Sequence, residues 1–163
     1  MLAEKYVTAK MWDVLKENLP ERSDAVLVLQ VEEFLKFMTI ASDEDTSFIP
    51  LNAEVDDIWH EFIMQTASYD NLCKKLPGKR FIHHETISME EYSKKVGKEQ
   101  MVDQMLEWLP KYINRFGPFT DKISDYWTIC RFLKNELGLS LAQINDIGSK
   151  QAQEIPPPQS GEK

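Results

Sequence analysis

Cysteine is scarce in this sequence, and the scarcity excludes several kinds of site. The 163 residues contain only Cys73 and Cys130, which form neither a Cys-x-x-Cys pair nor a framework of disulfides. Both fall among apolar residues and are therefore expected to be small core residues. A nucleophile pair of Cys73 with His83 is the less favoured alternative. Without disulfides, a reduced, cytoplasmic location is the default expectation.

Long apolar runs are also missing. No segment approaches the roughly 18 consecutive apolar residues that indicate a transmembrane helix. Residues Met1 to Tyr6 lack a basic region followed by an apolar run, so no signal peptide is expected. The sequence therefore does not predict a membrane partner.

Positive charge is in deficit. The chain has 19 Lys and Arg against 27 Asp and Glu, which gives a net charge of −8. A surface this acidic repels phosphate backbones, so nucleic acid is not an expected partner, and a protein or a small molecule remains. Acidic pairs such as Glu32-Glu33 are predicted to lie on the solvated surface.

Hydrophobic residues are plentiful enough for a core. They make up 42% of the chain, and a chain of this length can bury well over half of its unfolded surface. They recur at helical spacing in seven segments bounded by caps, glycines or prolines, with Ser23 and Asn52 as two predicted N-caps. The segments are 4–18, 25–41, 53–76, 89–95, 99–116, 124–137 and 140–147.

These segments predict an all-α fold. We expect a compact single-domain bundle of about five to seven helices, in which one short extended segment near Phe81-Ile82 departs from helix. The helical domain is predicted to span residues 1–148. Residues 149–163 contain three consecutive prolines and few apolar side chains, so we predict a disordered, Pro-rich tail.

All three histidines fall within a short part of the chain, around the helix predicted over 53–76. Asp56 and His60 are four positions apart and so share one helix face. From His60 to the turn at Pro77-Gly78 a helix climbs roughly 24 Å, and an extended return to His84 covers roughly 20 Å. The return segment should therefore bring one of His83 and His84 to the Asp56/His60 pair, but not both.

Two histidines and one carboxylate suit a metal ion, so Asp56, His60, His83 and His84 are the candidate ligands. This donor set is typical of non-haem iron and, with a water or a fourth ligand, of zinc. Trp59 is predicted to anchor the core, and Trp59 and Tyr69 are the candidate binding residues. A zinc metalloprotease is disfavoured, because the second histidine of its helix motif would be at the position that Met64 occupies.

Two other interpretations of the same residues remain open. In one, His60 is hydrogen-bonded to Asp56 and steadies Trp59, and the protein is a purely structural or protein-interaction domain. In the other, the protein is an enzyme in which Asp56 orients His60 as a general base. The sequence identifies no further catalytic residue. The expectation is a small cytoplasmic binding domain of unknown biological role, in which Asp56 and the histidines are a candidate metal site.

The elements Asp56-x-x-Trp59-His60, Tyr69 and Phe81-x-His83-His84 resemble a known family. They are similar to the domain of unknown function found in glycine-rich-domain-containing-protein-like sequences, and most of all to its short bacterial members. The resemblance covers about residues 50–90. It implies a small, mostly helical cytoplasmic domain without an assigned activity.

Overall fold

Helices account for the fold. The computed structural model describes residues 1–44, 49–84 and 89–154, and within these ranges the chain forms ten helices and no strand. The helices are α1 (Leu2–Tyr6), α2 (Ala9–Asn18), α3 (Asp24–Asp43), α4 (Ala53–Met64), α5 (Thr66–Lys75), α6 (Met89–Val96), α7 (Lys98–Phe116), α8 (Asp121–Ser124), α9 (Thr128–Leu137) and α10 (Leu141–Glu154). The predicted all-α class is confirmed.

The predicted count of five to seven helices is too low, for three local reasons. The helix expected over 4–18 is two helices, because Val7 is extended and Thr8 caps α2 by accepting a hydrogen bond from the Met11 amide. The helix expected over 53–76 ends at Met64 and restarts at Thr66. The short helix α8 lies between the helices predicted over 99–116 and 124–137, where no helix was expected.

Helix α3 is the centre of the bundle. Ser23 caps it as predicted, by accepting a hydrogen bond from the Val26 amide. Its Phe34 and Phe37 are buried and reach the neighbouring helices: the Phe37 ring lies 4.9 Å from the Trp59 ring of α4 and 5.5 Å from the Trp108 ring of α7. Trp59 is therefore a core residue, as predicted. None of the helices in the described ranges is long and apolar enough to cross a membrane.

The start of α4 is held in place by polar contacts. Asn52 caps the helix as predicted and accepts a hydrogen bond from the Val55 amide. Buried Gln30 of α3 donates to the Glu54 carboxylate, and Arg22 binds both Gln30 and Asp57. These contacts fix the first turn of α4, the turn that carries Asp56, against α3.

The last helix is longer than predicted. It was expected to end at Ile147, with a tail from residue 149, yet α10 continues to Glu154. Gly148 does not end the helix, because it lies where α10 packs closely on α7. A Cβ added there would lie 2.4 Å from Cδ1 of Ile113. The helical domain therefore includes residues 149–154, and the predicted tail beyond them lies outside the described residues.

Candidate metal centre

Helix α4 presents Asp56 and His60 on one face. Oδ2 of Asp56 lies 3.4 Å from Nε2 of His60, as the four-residue spacing predicts. The His60 side chain is 49% exposed and that of Asp56 is 28% exposed. Asp56 also lies in the first turn of the helix, where the helix dipole favours a negative charge. The pair is thus a carboxylate beside an imidazole that solvent can reach.

The return segment, residues 78–84, is tied to the end of α3. The Gly78 amide donates to Oγ of Ser42 over 2.8 Å, and the Arg80 guanidinium donates to the carbonyl oxygens of Ala41, Ser42 and Glu44. Ala41 and Ser42 lie in the last turn of α3 and Glu44 is its C-cap, so these carbonyls have no donor within the helix. The sequence indicated the turn at Pro77-Gly78, but it carried no local signal for this attachment.

His84 completes the group. Its Nε2 lies 2.7 Å from Oδ1 of Asp56, and its ring centroid is 4.6 Å from that of His60. The His84 side chain is only 8% exposed, and its ring packs edge to face with the Trp59 ring at a centroid distance of 4.3 Å. The expectation that the return segment brings one histidine to the Asp56/His60 pair is therefore met by His84.

His83 points elsewhere. Its ring packs against the Phe81 ring at a centroid distance of 4.8 Å, and the side chain is exposed. Adjacent residues of a non-helical segment face opposite sides, which is why only one of the two histidines can reach α4. Of the four candidate metal ligands, the structure brings Asp56, His60 and His84 together and leaves His83 outside the group.

Trp59 and Tyr69 lie beneath the group rather than on an open surface. Both are 1% exposed, so their rings are covered by the surrounding protein, and their role as binding residues stays a prediction. Trp59 Nε1 donates to the Tyr69 hydroxyl over 2.9 Å. In one unbroken helix, residues ten apart would be separated by roughly 15 Å along the axis. The break at Gln65 brings the two side chains together.

The cysteines are core residues, as predicted, and both are free thiols. Burial raises the pKa of the Cys73 thiol, an effect opposed by hydrogen bonding to the Ile82 backbone and to Tyr69. Burial also raises the pKa of the Cys130 thiol to about 12. Neither thiol is poised to ionise near neutral pH, so neither is suited to act as a nucleophile or as a thiolate ligand.

The three grouped residues have the chemistry of a metal site. Their ligand atoms lie within 4.8 Å of one another, and within the described ranges theirs is the one such group of histidine, cysteine and acidic side chains. Ligands bound to zinc at about 2.0–2.2 Å lie roughly 3.3 Å apart in a tetrahedron, so small side-chain rotations would suffice to enclose an ion. Two imidazoles and one carboxylate also leave positions for water or a substrate.

A cavity of about 420 Å³ lies elsewhere, between α1, α2 and α3. Its lining is mainly apolar and includes Val7, Trp12, Leu27 and Val28. None of the three grouped residues lines it. The candidate metal group is thus a surface site backed by the core, and this cavity takes no part in it.

Comparison with known proteins identifies a family. A family model described as UCP032817-like matches residues 2–107, which is more than half of the chain and includes Asp56, His60 and His84. No curated protein and no solved structure matches the chain. The chain therefore belongs to the UCP032817-like family, a domain of unknown function.

Proposed function

We propose that this domain binds one divalent transition metal ion, zinc or iron, through Asp56, His60 and His84. The observation that supports the proposal is the convergence of these three side chains from two separate segments, with ligand atoms within 4.8 Å of one another. Two neutral imidazoles and a carboxylate are ligands that both metals accept.

The surroundings favour a site with open positions. His84 is enclosed by Trp59 and α4, whereas the His60 ring is half exposed. An ion held here would be supported by the core on one side and would face solvent on the other. Water or a small molecule would fill the remaining coordination positions, as in metal sites that bind or transform a ligand.

The wider setting belongs to the same proposal. Two free, buried cysteines are compatible with a reduced compartment, so we propose a cytoplasmic location. The Trp59-His60 and His83-His84 elements resemble the short bacterial glycine-rich-domain-containing-protein-like sequences. We therefore expect the same three ligands in those sequences.

Metal titration of four proteins tests the proposal. Protein without a polyhistidine tag is titrated with zinc, nickel and, under anaerobic conditions, iron(II), and binding is followed by calorimetry and by metal content after dialysis. The proteins are the wild type, His60→Ala, His84→Ala and the matched control His83→Ala. We expect one ion per chain in the wild type and in His83→Ala, and an affinity at least about tenfold lower in the other two, because each loses a ligand.

Two outcomes would contradict the proposal in different ways. Equal, weak binding by all four proteins would exclude a metal site at this group. Weaker binding by His83→Ala than by His84→Ala would leave a metal site but would overturn the assignment of its ligands.

A second function, an enzyme with His60 as a general base, is favoured by the half-exposed His60 ring beside the Asp56 carboxylate. Asp56 is, however, closer to His84, at 2.7 Å, than to His60, at 3.4 Å. The two functions separate on metal dependence. An enzyme that uses His60 as a general base would keep its catalytic activity in protein stripped of metal and would lose it in His60→Ala.

A further inference from the structure

Tyr69 connects the return segment to helix α4 directly behind the metal group. Its hydroxyl accepts a hydrogen bond from Trp59 Nε1 over 2.9 Å and donates one to the Ile82 carbonyl oxygen over 2.5 Å. Trp59 precedes His60 in α4, and Ile82 lies two residues before His84. One buried hydroxyl therefore bridges the two segments that supply the grouped side chains.

The bridge has a fixed direction. Burial raises the pKa of the Tyr69 hydroxyl well above its ordinary value, so the group keeps its proton and serves as a donor. Trp Nε1 can only donate and a carbonyl oxygen can only accept. The Tyr69 hydroxyl therefore donates its hydrogen to the Ile82 carbonyl oxygen and accepts a hydrogen bond from Trp59 Nε1. The thioether of Met38, 4.0 Å away, is a much weaker acceptor than that carbonyl.

The two hydrogen bonds of the Tyr69 hydroxyl also hold the His84 ring in position. Trp59, held at its indole nitrogen, turns its ring against His84 at 4.3 Å. The Ile82 carbonyl, held by the same hydroxyl, fixes the backbone from which the His84 side chain departs. If the hydroxyl were removed, the buried Trp59 Nε1 would lose its acceptor and the half-buried Ile82 carbonyl would lose its donor. The return segment could then shift relative to α4.

We propose that Tyr69 is a positioning residue of the metal site: its hydroxyl sets the distance between His84 and the Asp56/His60 pair. This inference rests on the proposed metal-binding function. Outer-shell partners that orient metal ligands commonly contribute 10- to 100-fold to metal affinity. Tyr69 would act on His84 indirectly, through the Ile82 backbone and through Trp59.

The test compares two tyrosines. Tyr69→Phe removes the bridging hydroxyl, and Tyr112→Phe is the matched control. Tyr112 is equally buried, and its hydroxyl also makes hydrogen bonds, to Glu33 and Lys36, but it is on α7 and touches none of the three ligands. The measurements are the dissociation constant for zinc and for nickel, the free energy of unfolding in urea without metal, and the ¹⁵N shifts of the His84 ring.

We expect both variants to lose stability, because each leaves buried partners unpaired. Only Tyr69→Phe should bind zinc and nickel about tenfold or more weakly and shift the His84 ring signals. Unchanged affinity in Tyr69→Phe, with normal binding by the wild type, would overturn the inference and leave the metal site intact. An equal loss of affinity in Tyr112→Phe would also overturn it, because the effect would then follow general stability. Absence of binding by the wild type would refute the proposed function itself.

Discussion

Glu33 is a carboxylate in the centre of the core. It is 1% exposed, and its Oε1 accepts hydrogen bonds from the Tyr112 hydroxyl and from Trp127 Nε1, while Lys36 Nζ lies 2.8 Å from Oε2. Lys36 also donates to the Tyr112 hydroxyl. The four side chains come from α3, from α7 and from the start of α9. A buried charge with all of these partners ties the helices together in one arrangement.

We predict that Glu33→Ala destabilises the protein by about 3–5 kcal/mol, because it leaves Trp127 Nε1 without its acceptor and Lys36 without the carboxylate of its ion pair. Urea unfolding measures the loss. The control is Glu32→Ala. In the wild type the Glu32 carboxylate caps α1 by accepting hydrogen bonds from the Leu2 and Ala3 amides. Loss of this cap should cost about 0.5–2 kcal/mol. Equal losses of unfolding free energy in the two variants would show that the buried Glu33 contributes no more to stability than the half-buried Glu32.

The contrast between these two glutamates marks the limit of the sequence at the scale of single residues. The pair was predicted to lie on the solvated surface, and for Glu33 that prediction is wrong. A carboxylate is buried only when distant partners satisfy it. Lys36 is a local partner on α3, but Tyr112 and Trp127 come from α7 and from the start of α9, so no local pattern could indicate them. Asp56 and His60 were predictable because their partnership is set by the helix repeat alone.

At the scale of elements, the return segment depends on the absence of one side chain. A Cβ added to Gly78 would lie 1.8 Å from the Ser42 carbonyl oxygen, which is part of the backbone and cannot move aside cheaply. The clash would push the turn away from the end of α3. His84 is six residues further along the same segment, so its contact with Asp56 would be disturbed as well.

We predict that Gly78→Ala costs about 1–3 kcal/mol of stability and also weakens zinc binding. Gly148→Ala is the control, because there the nearest atom is the flexible end of Ile113 and alanine favours the helix. Its stability should change little and its zinc affinity not at all. The measurements are thermal unfolding and zinc titration of both variants. A Gly78→Ala protein with wild-type stability and affinity would refute the role of this close approach.

The helix break at Gln65 is the element-scale feature that the sequence did not reveal. Residues 53–76 have a nearly continuous helical pattern, and Gln65 is an ordinary helix former. The break is favoured by contacts that exist only in the folded chain, among them the Trp59–Tyr69 hydrogen bond and its continuation to Ile82. The meeting of His60 with one of His83 and His84 was nevertheless expected, because the length of the return segment limits where these two residues can lie.

For the molecule as a whole, burial of weak acids sets the response to alkaline pH. Burial raises the pKa of two tyrosines, Tyr69 and Tyr112, and of both cysteines, with Cys130 reaching about 12. In the unfolded chain these groups ionise near their ordinary values, 9.0 for cysteine and 10.0 for tyrosine. The unfolded state therefore binds fewer protons than the native state above pH 9, and stability falls as pH rises.

We predict a free energy of unfolding that is insensitive to these four groups below about pH 9 and that declines steadily from pH 9 toward pH 12. Urea unfolding at a series of pH values measures the decline. A Cys73→Ala/Cys130→Ala variant should show a later onset, since only the tyrosines then contribute. Stability that is flat up to pH 11 would mean that the four groups are exposed to solvent in the native state.

The edge contact between the Trp59 and His84 rings has an optical consequence. Indole emission is quenched by a protonated imidazole in contact with it and by an open-shell metal ion close by. If an ion binds at the proposed site, the fluorescence of Trp59 should therefore differ between an open-shell ion such as iron(II) or nickel and a closed-shell ion such as zinc. Trp59 also lies against Phe37, which stacks on Trp108, and Trp108 is 6.0 Å from Trp127. Excitation energy absorbed by Trp108 and Trp127 can pass to Trp59 beside the proposed site. The intrinsic fluorescence of the protein would therefore report the binding of an ion there without a label.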